Sequence, residues 1–180
     1  FPQNEHTTPL NSRLPYAIVK NVGEAYLKSF KKEFDLDYTI FRFFNTYWSK
    51  QSKDFVVSKF ISSALGNNDI TIYGDGSQTR TFCFIDDNIE FTVKTLNENH
   101  FINDTVNVGS DQEISILSLA RLVIKLLNSK SEIIYLSPLA EGDMRRRSPD
   151  ISRRRKVFTR ELTSLESGIL VVAGPLHNNI

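Results

Sequence analysis

Two titratable side chains lie four residues apart near the start of a predicted helix: Tyr16 and Lys20, in the stretch "RLPYAIVKNVGEAY". Positions i and i+4 share one helix face, so the phenol and the ammonium can reach the same small space. A tyrosine is a poor base at neutral pH unless a nearby cation stabilises its phenolate form. A pair arranged in this way could take a proton from a hydroxyl group. By itself the motif is short, and ordinary helix surface is its commoner explanation.

The totals describe an ordinary globular domain. The chain has 180 residues, of which 40% are hydrophobic and 24% charged, enough for one domain with a core. A net charge of +1 carries no signature of a nucleic-acid-binding protein. The single cysteine, Cys83, excludes an internal disulfide, offers no metal cluster, and reads as a small buried residue. No run of 18 apolar residues and no signal peptide occur, so we expect a cytoplasmic protein that contacts no membrane.

Strand patterns alternate with helix patterns along the chain, which predicts α/β architecture with parallel strands. Predicted helices cover about residues 14–34, 54–66, 86–99, 115–129 and 151–158. Predicted strands cover about residues 37–45, 104–110 and 131–136, with two more short strands around the Gly-Asp-Gly turn within 69–85. Gly66 is expected to end its helix, and Asp86 and Asp87 to cap theirs. The final apolar run has no evident role.

Five ordered segments resemble one known family. They are "YAIVK" followed by Glu24, "FRFFNTYW", "IYGDGSQTRTFCFIDD", "VNVGSDQEISILSLARLV" and "GDMRRRSPDIS". Together they closely resemble the extended short-chain dehydrogenase/reductases, in particular the NAD-dependent nucleotide-sugar epimerases, dehydratases and decarboxylases. The resemblance runs from about residue 1 to residue 168. It implies a Rossmann-like parallel sheet, a smaller α/β substrate-binding domain, and NAD as the cofactor.

The resemblance also implies roles for the opening pair and for one phenylalanine. Tyr16 matches the catalytic tyrosine and Lys20 its lysine partner, and both would also contact NAD. Phe43 matches the position whose backbone lies beside the nicotinamide.

Four further residues match positions that bind the nucleotide sugar. Asn45 matches an asparagine that contacts the diphosphate, and Tyr73 a position flanking the base. Arg80 matches an arginine that binds the nucleotide phosphates or ribose. Arg147 matches a second arginine, which binds the diphosphate. A guanidinium offers a planar fork of donors that suits phosphate oxygens.

Simpler explanations exist for several of these positions. Asn45 could stabilise a turn, and Arg80 could be an exposed strand residue. The remaining arginines of the C-terminal segment are expected to form a solvated basic surface: Arg145, Arg146, Arg153, Arg154 and Arg155. The three histidines are scattered in polar loops and suggest neither a metal site nor a catalytic triad.

The sequence departs from the family pattern in three ways. One is the C-terminal end, where "RRRKVFTREL" lacks the Leu-Gly-Trp that is typical before the last helix. Trp48, Ser49 and Lys50 stand where the family has Gly-Pro-Arg, beside the substrate. No Gly-x-x-Gly-x-x-Gly occurs, and the upstream catalytic serine or threonine is missing, although a dinucleotide pyrophosphate needs such a glycine-rich turn. The chain also begins at Phe1 in a loop-like stretch. We therefore expect the C-terminal part of a longer enzyme.

The resemblance predicts three parts of the chain. Residues 1–50 would be the last elements of the NAD-binding domain, 51–170 mainly the substrate domain with some returning Rossmann elements, and 171–180 a tail. The intact parent would act by transient oxidation at sugar C4, and this part alone would be inactive. Two alternatives stay open: UDP-glucuronate decarboxylase-like activity, and a truncated non-catalytic interaction module. RNA binding is disfavoured because the aromatic platform for single strands is absent. The helix at 14–34 is expected to form a homodimer interface.

Overall fold

The computed structural model describes residues 15–139 and 144–177. The predicted loop at the N-terminus, part of the "GDM" stretch and the last three residues lie outside the described residues. Helices are α1 (Pro15–Phe34), α2 (Val56–Leu65), α3 (Ile85–Asn97), α4 (Ile116–Leu126), α5 (Ser152–Val157) and α6 (Leu165–His177). Strands are β1 (Thr39–Phe43), β2 (Thr46–Tyr47), β3 (Ile70–Tyr73), β4 (Thr79–Thr81), β5 (Cys83–Phe84), β6 (Asp104–Val108), β7 (Glu113–Ser115), β8 (Ile133–Leu136) and β9 (Arg146–Arg147).

Most strand pairs are parallel, as the alternating pattern predicts. Strand β1 pairs with β6, β2 with β5, and β3 with β8, all in parallel. The exception is a three-stranded sheet in which β4 lies between an antiparallel β7 and a parallel β9. The predicted stretch 69–85 thus holds three short strands rather than two, and β3 takes its partner from 63 residues further along the chain.

The main core lies between helices α2, α4 and α6 and strand β3. Ser115 caps α4: its side-chain oxygen accepts a hydrogen bond from the Ser118 N–H at 3.0 Å, which confirms the predicted helix start. Residues 171–177 belong to the last helix. They continue α6, and Val172 and Ala173 are buried in this core because the apolar run supplies its missing side.

A second, smaller core joins α3 and β6 to the segment after α5. Its buried members are Phe91, Val106, Val108 and Phe158. Strand β1 covers β6 on one side, so this core supports the carboxyl end of β1, where several predicted site residues lie.

One local prediction was confirmed and another was wrong. Gly66 ends α2 as expected, as its C-cap residue with φ −81°, and the left-handed position is taken by the next residue, Asn67, at φ +52°. Asp86 and Asp87 lie in the first turn of α3, which begins at Ile85, and neither caps it. Phe84, the last residue of β5, occupies the N-cap position, and no side chain caps the helix there.

Helix α1 contributes no buried residue. It is linked to β1 by a bidentate ion pair, in which Arg42 Nε and Nη2 donate to the two carboxylate oxygens of Glu24, each at 2.7 Å. Both side chains are largely buried, 19% and 13% exposed for Arg42 and Glu24. The apolar side chains of α1 are otherwise exposed, including Val19, Val22 and Tyr26.

Candidate active site

The structure brings Tyr16 and Lys20 together on one face of α1. The Lys20 Nζ lies 5.4 Å from the centroid of the Tyr16 ring. Tyr16 is 70% exposed, so the space the pair shares is open to ligands. The Glu24 carboxylate, one turn after Lys20, fixes this face to β1 through Arg42. Phe43 is the last residue of β1, and Asn45 follows it by two residues.

Phe43 ends β1 with its side chain 53% exposed. Its ring stacks on Phe41 with centroids 6.2 Å apart. A groove of about 380 Å³ opens beside it, and Trp48 forms part of the wall. The other lining residues come from β2 and from the first three turns of α3: Thr46, Ile85, Asn88, Ile89, Thr92 and Val93. The wall is therefore mainly apolar, with Trp48 where the family pattern has a glycine.

Asn45 adopts a left-handed backbone conformation with φ +38°, which asparagine tolerates better than most residues. Its Nδ2 donates to the Thr81 carbonyl oxygen at 2.8 Å, and its own carbonyl oxygen accepts from the Cys83 N–H at 3.2 Å. These bonds show the turn-stabilising role directly. A primary amide carries two donor hydrogens, so the second remains for a ligand.

Arg80 and Arg147 are neighbours across the sheet. They are register partners in the parallel pair of β4 and β9, so their side chains leave the same face. Arg146, one residue earlier, leaves the opposite face and pairs with Glu113, its Nε 2.9 Å from the carboxylate. Arg80 Nη1 donates to the carbonyls of Thr79 and Met144, both at 2.7 Å.

Arg147 has unused hydrogen-bonding capacity. Its Nε is shielded from solvent and has no hydrogen-bond partner among the described residues. A buried donor without an acceptor is costly, and such groups often mark sites completed by a ligand. Asn45 lies beside this pair, since its acceptor Thr81 is the residue after Arg80.

Tyr73 lies at the end of β3, in a different sheet from the arginines. It is 40% exposed, and Lys59 Nζ lies 6.0 Å from its ring centroid. The predicted turn follows it, with Gly74 at φ +67° and Gly76 at φ +72°. At Gly76 a Cβ would stand 2.9 Å from Leu117 Cβ, so glycine is required there by both conformation and space.

Ion pairing and burial shift the pKa values of three groups in and near the proposed site. The hydrogen bond from Arg146 holds the pKa of Glu113 below its usual range. Burial raises the pKa of the Cys83 thiol, with Arg154 opposing the shift in part. Burial likewise raises the pKa of Tyr47 above that of a free phenol. Cys83 and Tyr47 are thus neutral at physiological pH and supply no nucleophile.

A model of the NAD dependent epimerase/dehydratase family matches residues 1–109, more than half of the chain. The chain belongs to this family. Two curated proteins are similar to this chain in sequence. UDP-glucuronic acid decarboxylase 1 of Danio rerio is 36% identical over 175 residues, which cover 93% of this chain and 41% of that protein. A putative UDP-glucose 4-epimerase of Methanocaldococcus jannaschii is 32% identical, covering 95% of this chain and 56% of that protein.

Solved family structures share the fold. UDP-glucose 4-epimerase of Thermotoga maritima, solved with UDP-glucose, superposes with a TM-score of 0.90 at 27% identity over 99% of this chain. UDP-glucuronic acid 4-epimerase of Bacillus cereus, solved with UDP-glucuronic acid and NAD, gives 0.83 at 28% identity over 92%. These likenesses confirm the predicted Rossmann-related fold and NAD as the family's cofactor. The chain spans about half the length of these family members.

The sequence patterns did not predict that two charged residues would be buried. Arg154, predicted to be solvated, is 1% exposed, and Asp87 is fully buried. The Asp87 carboxylate accepts from the Thr163 N–H at 2.9 Å and pairs with Arg160 at 2.8 Å, so it anchors the chain after α5. The i, i+3, i+7 spacing of Ile151, Arg154 and Phe158 was the available signal, because it sets Arg154 on the apolar helix face.

The part of the chain that the structure describes holds neither a candidate metal site nor a membrane-spanning helix. No group of three or more histidine, cysteine, aspartate or glutamate side chains there could hold a metal ion. None of the helices between residues 15 and 177 has the length and apolarity needed to cross a bilayer.

Proposed function

We propose that the chain is the substrate-binding and proton-transfer part of an NAD-dependent nucleotide-sugar epimerase or dehydratase that acts by transient oxidation at sugar C4. One observation carries the proposal: Arg80 and Arg147 leave the same face of one sheet as register partners. Two arginines on the same face of adjacent strands place two positive charges on one surface, which attracts an anion. A nucleoside diphosphate supplies that anion, with phosphate oxygens for both forks of donors.

The unsatisfied Nε of Arg147 and the spare amide hydrogen of Asn45 support the same ligand. Both are donors, and a diphosphate offers only acceptors. Tyr73, half-exposed at the end of β3, would flank the base of the nucleotide. Family members solved with UDP-glucose and UDP-glucuronic acid agree with a nucleoside diphosphate sugar as the substrate class.

Tyr16 and Lys20 would carry the proton transfer. The Tyr16 hydroxyl would exchange a proton with a sugar hydroxyl, and the Lys20 ammonium lies 5.4 Å from the centroid of its ring. The residues present fit the nicotinamide-ribose end of the cofactor, because the side chains of Tyr16 and Phe43 are both more than half exposed. NAD, when bound, supplies the hydride acceptor. Lys20 would in addition hold a ribose hydroxyl.

The pyrophosphate end of the cofactor has no counterpart in this sequence. Its binding depends on backbone N–H groups of a glycine-rich turn at a helix N-terminus, and no Gly-x-x-Gly-x-x-Gly occurs. The chain as given should therefore bind NAD poorly and turn over no nucleotide sugar. The cytoplasmic setting stays a prediction from the sequence.

One alternative activity has specific support. Several similar proteins are named UDP-glucuronic acid decarboxylases, including proteins of Danio rerio and Xenopus tropicalis at 36% and 35% identity. Oxidation at C4 would also precede the loss of the neighbouring carboxylate, so the same residues serve either outcome. A truncated non-catalytic interaction module is the remaining alternative, and it keeps the diphosphate site without turnover.

We also propose that α1 forms a homodimer interface in the intact parent. Its exposed apolar residues lie on more than one side of the helix: Val22 and Leu27 are off the Tyr16 face. An exposed apolar surface of this kind favours association. Sedimentation of the parent at micromolar concentration tests the interface, and a monomer would contradict it.

Calorimetry with UDP tests the diphosphate site. We expect wild-type chain to bind UDP with submillimolar affinity, and Arg80→Ala and Arg147→Ala each to weaken binding by about 1.5–3 kcal/mol, the value of a charge-assisted contact. Arg145→Ala is the matched control, since Arg145 is an exposed arginine one residue before β9. Unchanged affinity in both site variants would remove these residues from the site.

A further inference from the structure

A buried cation lies beneath the proposed diphosphate site. The Arg154 guanidinium packs against the rings of Phe91 and Phe158, each centroid 5.3 Å from its central carbon, and the two rings meet edge to face. Arg154 Nη1 donates to the Gly109 carbonyl, and Nη2 donates to the Asp87 carbonyl at 3.0 Å. Arg154 Nε, like Arg147 Nε, is buried without a partner among the described residues, so the buried charge depends on the acceptors of its two terminal nitrogens.

The Gly109 carbonyl is the acceptor that connects Arg154 to the site. Gly109 follows β6 and packs so closely that a Cβ on it would stand 2.9 Å from Phe44 Cβ and 3.3 Å from Pro149 Cγ. Phe44 immediately precedes Asn45, and Pro149 follows Arg147 by two residues. Gly109 is therefore a spacer between the two segments that carry these proposed ligand contacts.

A second contact reaches the same turn. Arg154 Nη1 also lies 3.5 Å from Cys83 Sγ, and the Cys83 N–H donates to the Asn45 carbonyl at 3.2 Å. One guanidinium thus touches both elements that hold the Asn45 turn in its left-handed conformation, the end of β6 and the start of β5.

We propose that Arg154 is a positioning residue for nucleoside diphosphate binding. It sets the spacing between Asn45 and Arg147 by holding the Gly109 carbonyl, and it does not touch the ligand, because it is 1% exposed. The inference rests on the proposed function, since it assumes that Asn45 and Arg147 bind the diphosphate. It explains why a cation stays in an otherwise aromatic core.

Calorimetry with UDP compares three variants of the full chain. Arg154→Met keeps the apolar stem and removes the donors, and should weaken UDP binding at least tenfold. Arg154→Lys keeps the charge but replaces the two terminal nitrogens of the planar fork by one nitrogen on a shorter reach, so affinity should still fall at least fivefold. The matched control is Arg155→Met, an exposed neighbour paired with Asp111, and its affinity should stay within twofold of wild type.

A second readout separates positioning from general stability. The NMR signal of the Asn45 side-chain amide, assigned by its loss in Asn45→Asp, should shift in Arg154→Met without ligand and stay in place in Arg155→Met. An unchanged Asn45 signal, or wild-type affinity in Arg154→Met or Arg154→Lys, would overturn the proposal. If Arg154→Met does not fold, Arg154→Lys decides by the same criteria. If wild-type chain binds no UDP, the proposed function fails, and the Asn45 signal still tests the link to Arg154.

Discussion

The ion pair between Glu24 and Arg42 should control how firmly α1, with Tyr16 and Lys20, is held against β1. Both side chains are largely buried, and two parallel hydrogen bonds of 2.7 Å join them. Hydrogen bonds to charged groups contribute about 1.5–3 kcal/mol. Glu24→Gln removes the carboxylate charge that faces the largely buried Arg42, so we expect a cost of about 2–3 kcal/mol.

Hydrogen exchange measures this cost locally. A loss of 2–3 kcal/mol should accelerate amide exchange in α1 by about 30- to 140-fold, since each 1.4 kcal/mol is a factor of ten. Helix α4 packs in the main core away from the pair and should keep its protection. A double-mutant cycle with Arg42→Met should give a coupling energy of about 2 kcal/mol. Coupling below about 0.5 kcal/mol, or equal acceleration in α1 and α4, would refute the reasoning.

Two further perturbations test other contacts. Gly168→Ala would place a methyl group 1.9 Å from the Tyr47 hydroxyl, and urea titration should show a loss of about 1–3 kcal/mol. Tyr47→Phe alone should cost little, because that hydroxyl has no partner among the described residues, and it should partly rescue Gly168→Ala; no rescue would contradict the packing. Arg146 lowers the pKa of Glu113, so the stabilisation from Glu113 is present above the ordinary value of 4.5 and is lost as the pH falls through the lower folded pKa. The stability difference between wild type and Glu113→Gln should therefore shrink below pH 4.5, and a constant difference would contradict this account.

Local signals in the sequence predicted much of the fold. The helix start at Ser115 could be predicted because it depends on the residues that follow it directly, and the structure shows that Ser115 caps this helix. The Gly-Asp-Gly turn was readable because two positive φ angles favour glycine strongly. The helix carrying Tyr16 and Lys20 was readable from its periodicity.

The remaining features depend on contacts between distant parts of the chain. Arg154 is buried because Gly109 and Asp87 offer their carbonyl oxygens to it, 45 and 67 residues earlier. Arg80 and Arg147 are adjacent because β4 pairs with β9. Both strands are too short for their own sequences to predict this pairing. Pattern reasoning reached both arginines only through the family resemblance.

Titrating one preparation of the chain with UDP and with NAD tests the central claim most directly. The residues proposed to bind the diphosphate, Asn45, Arg80 and Arg147, all lie in this chain, whereas the sequence has no glycine-rich turn for the cofactor pyrophosphate. Calorimetry, supported by fluorescence of the single tryptophan, Trp48, gives both affinities. The account predicts submillimolar UDP binding that Arg80→Ala and Arg147→Ala weaken, together with poor NAD binding. Micromolar NAD binding without UDP binding would contradict it.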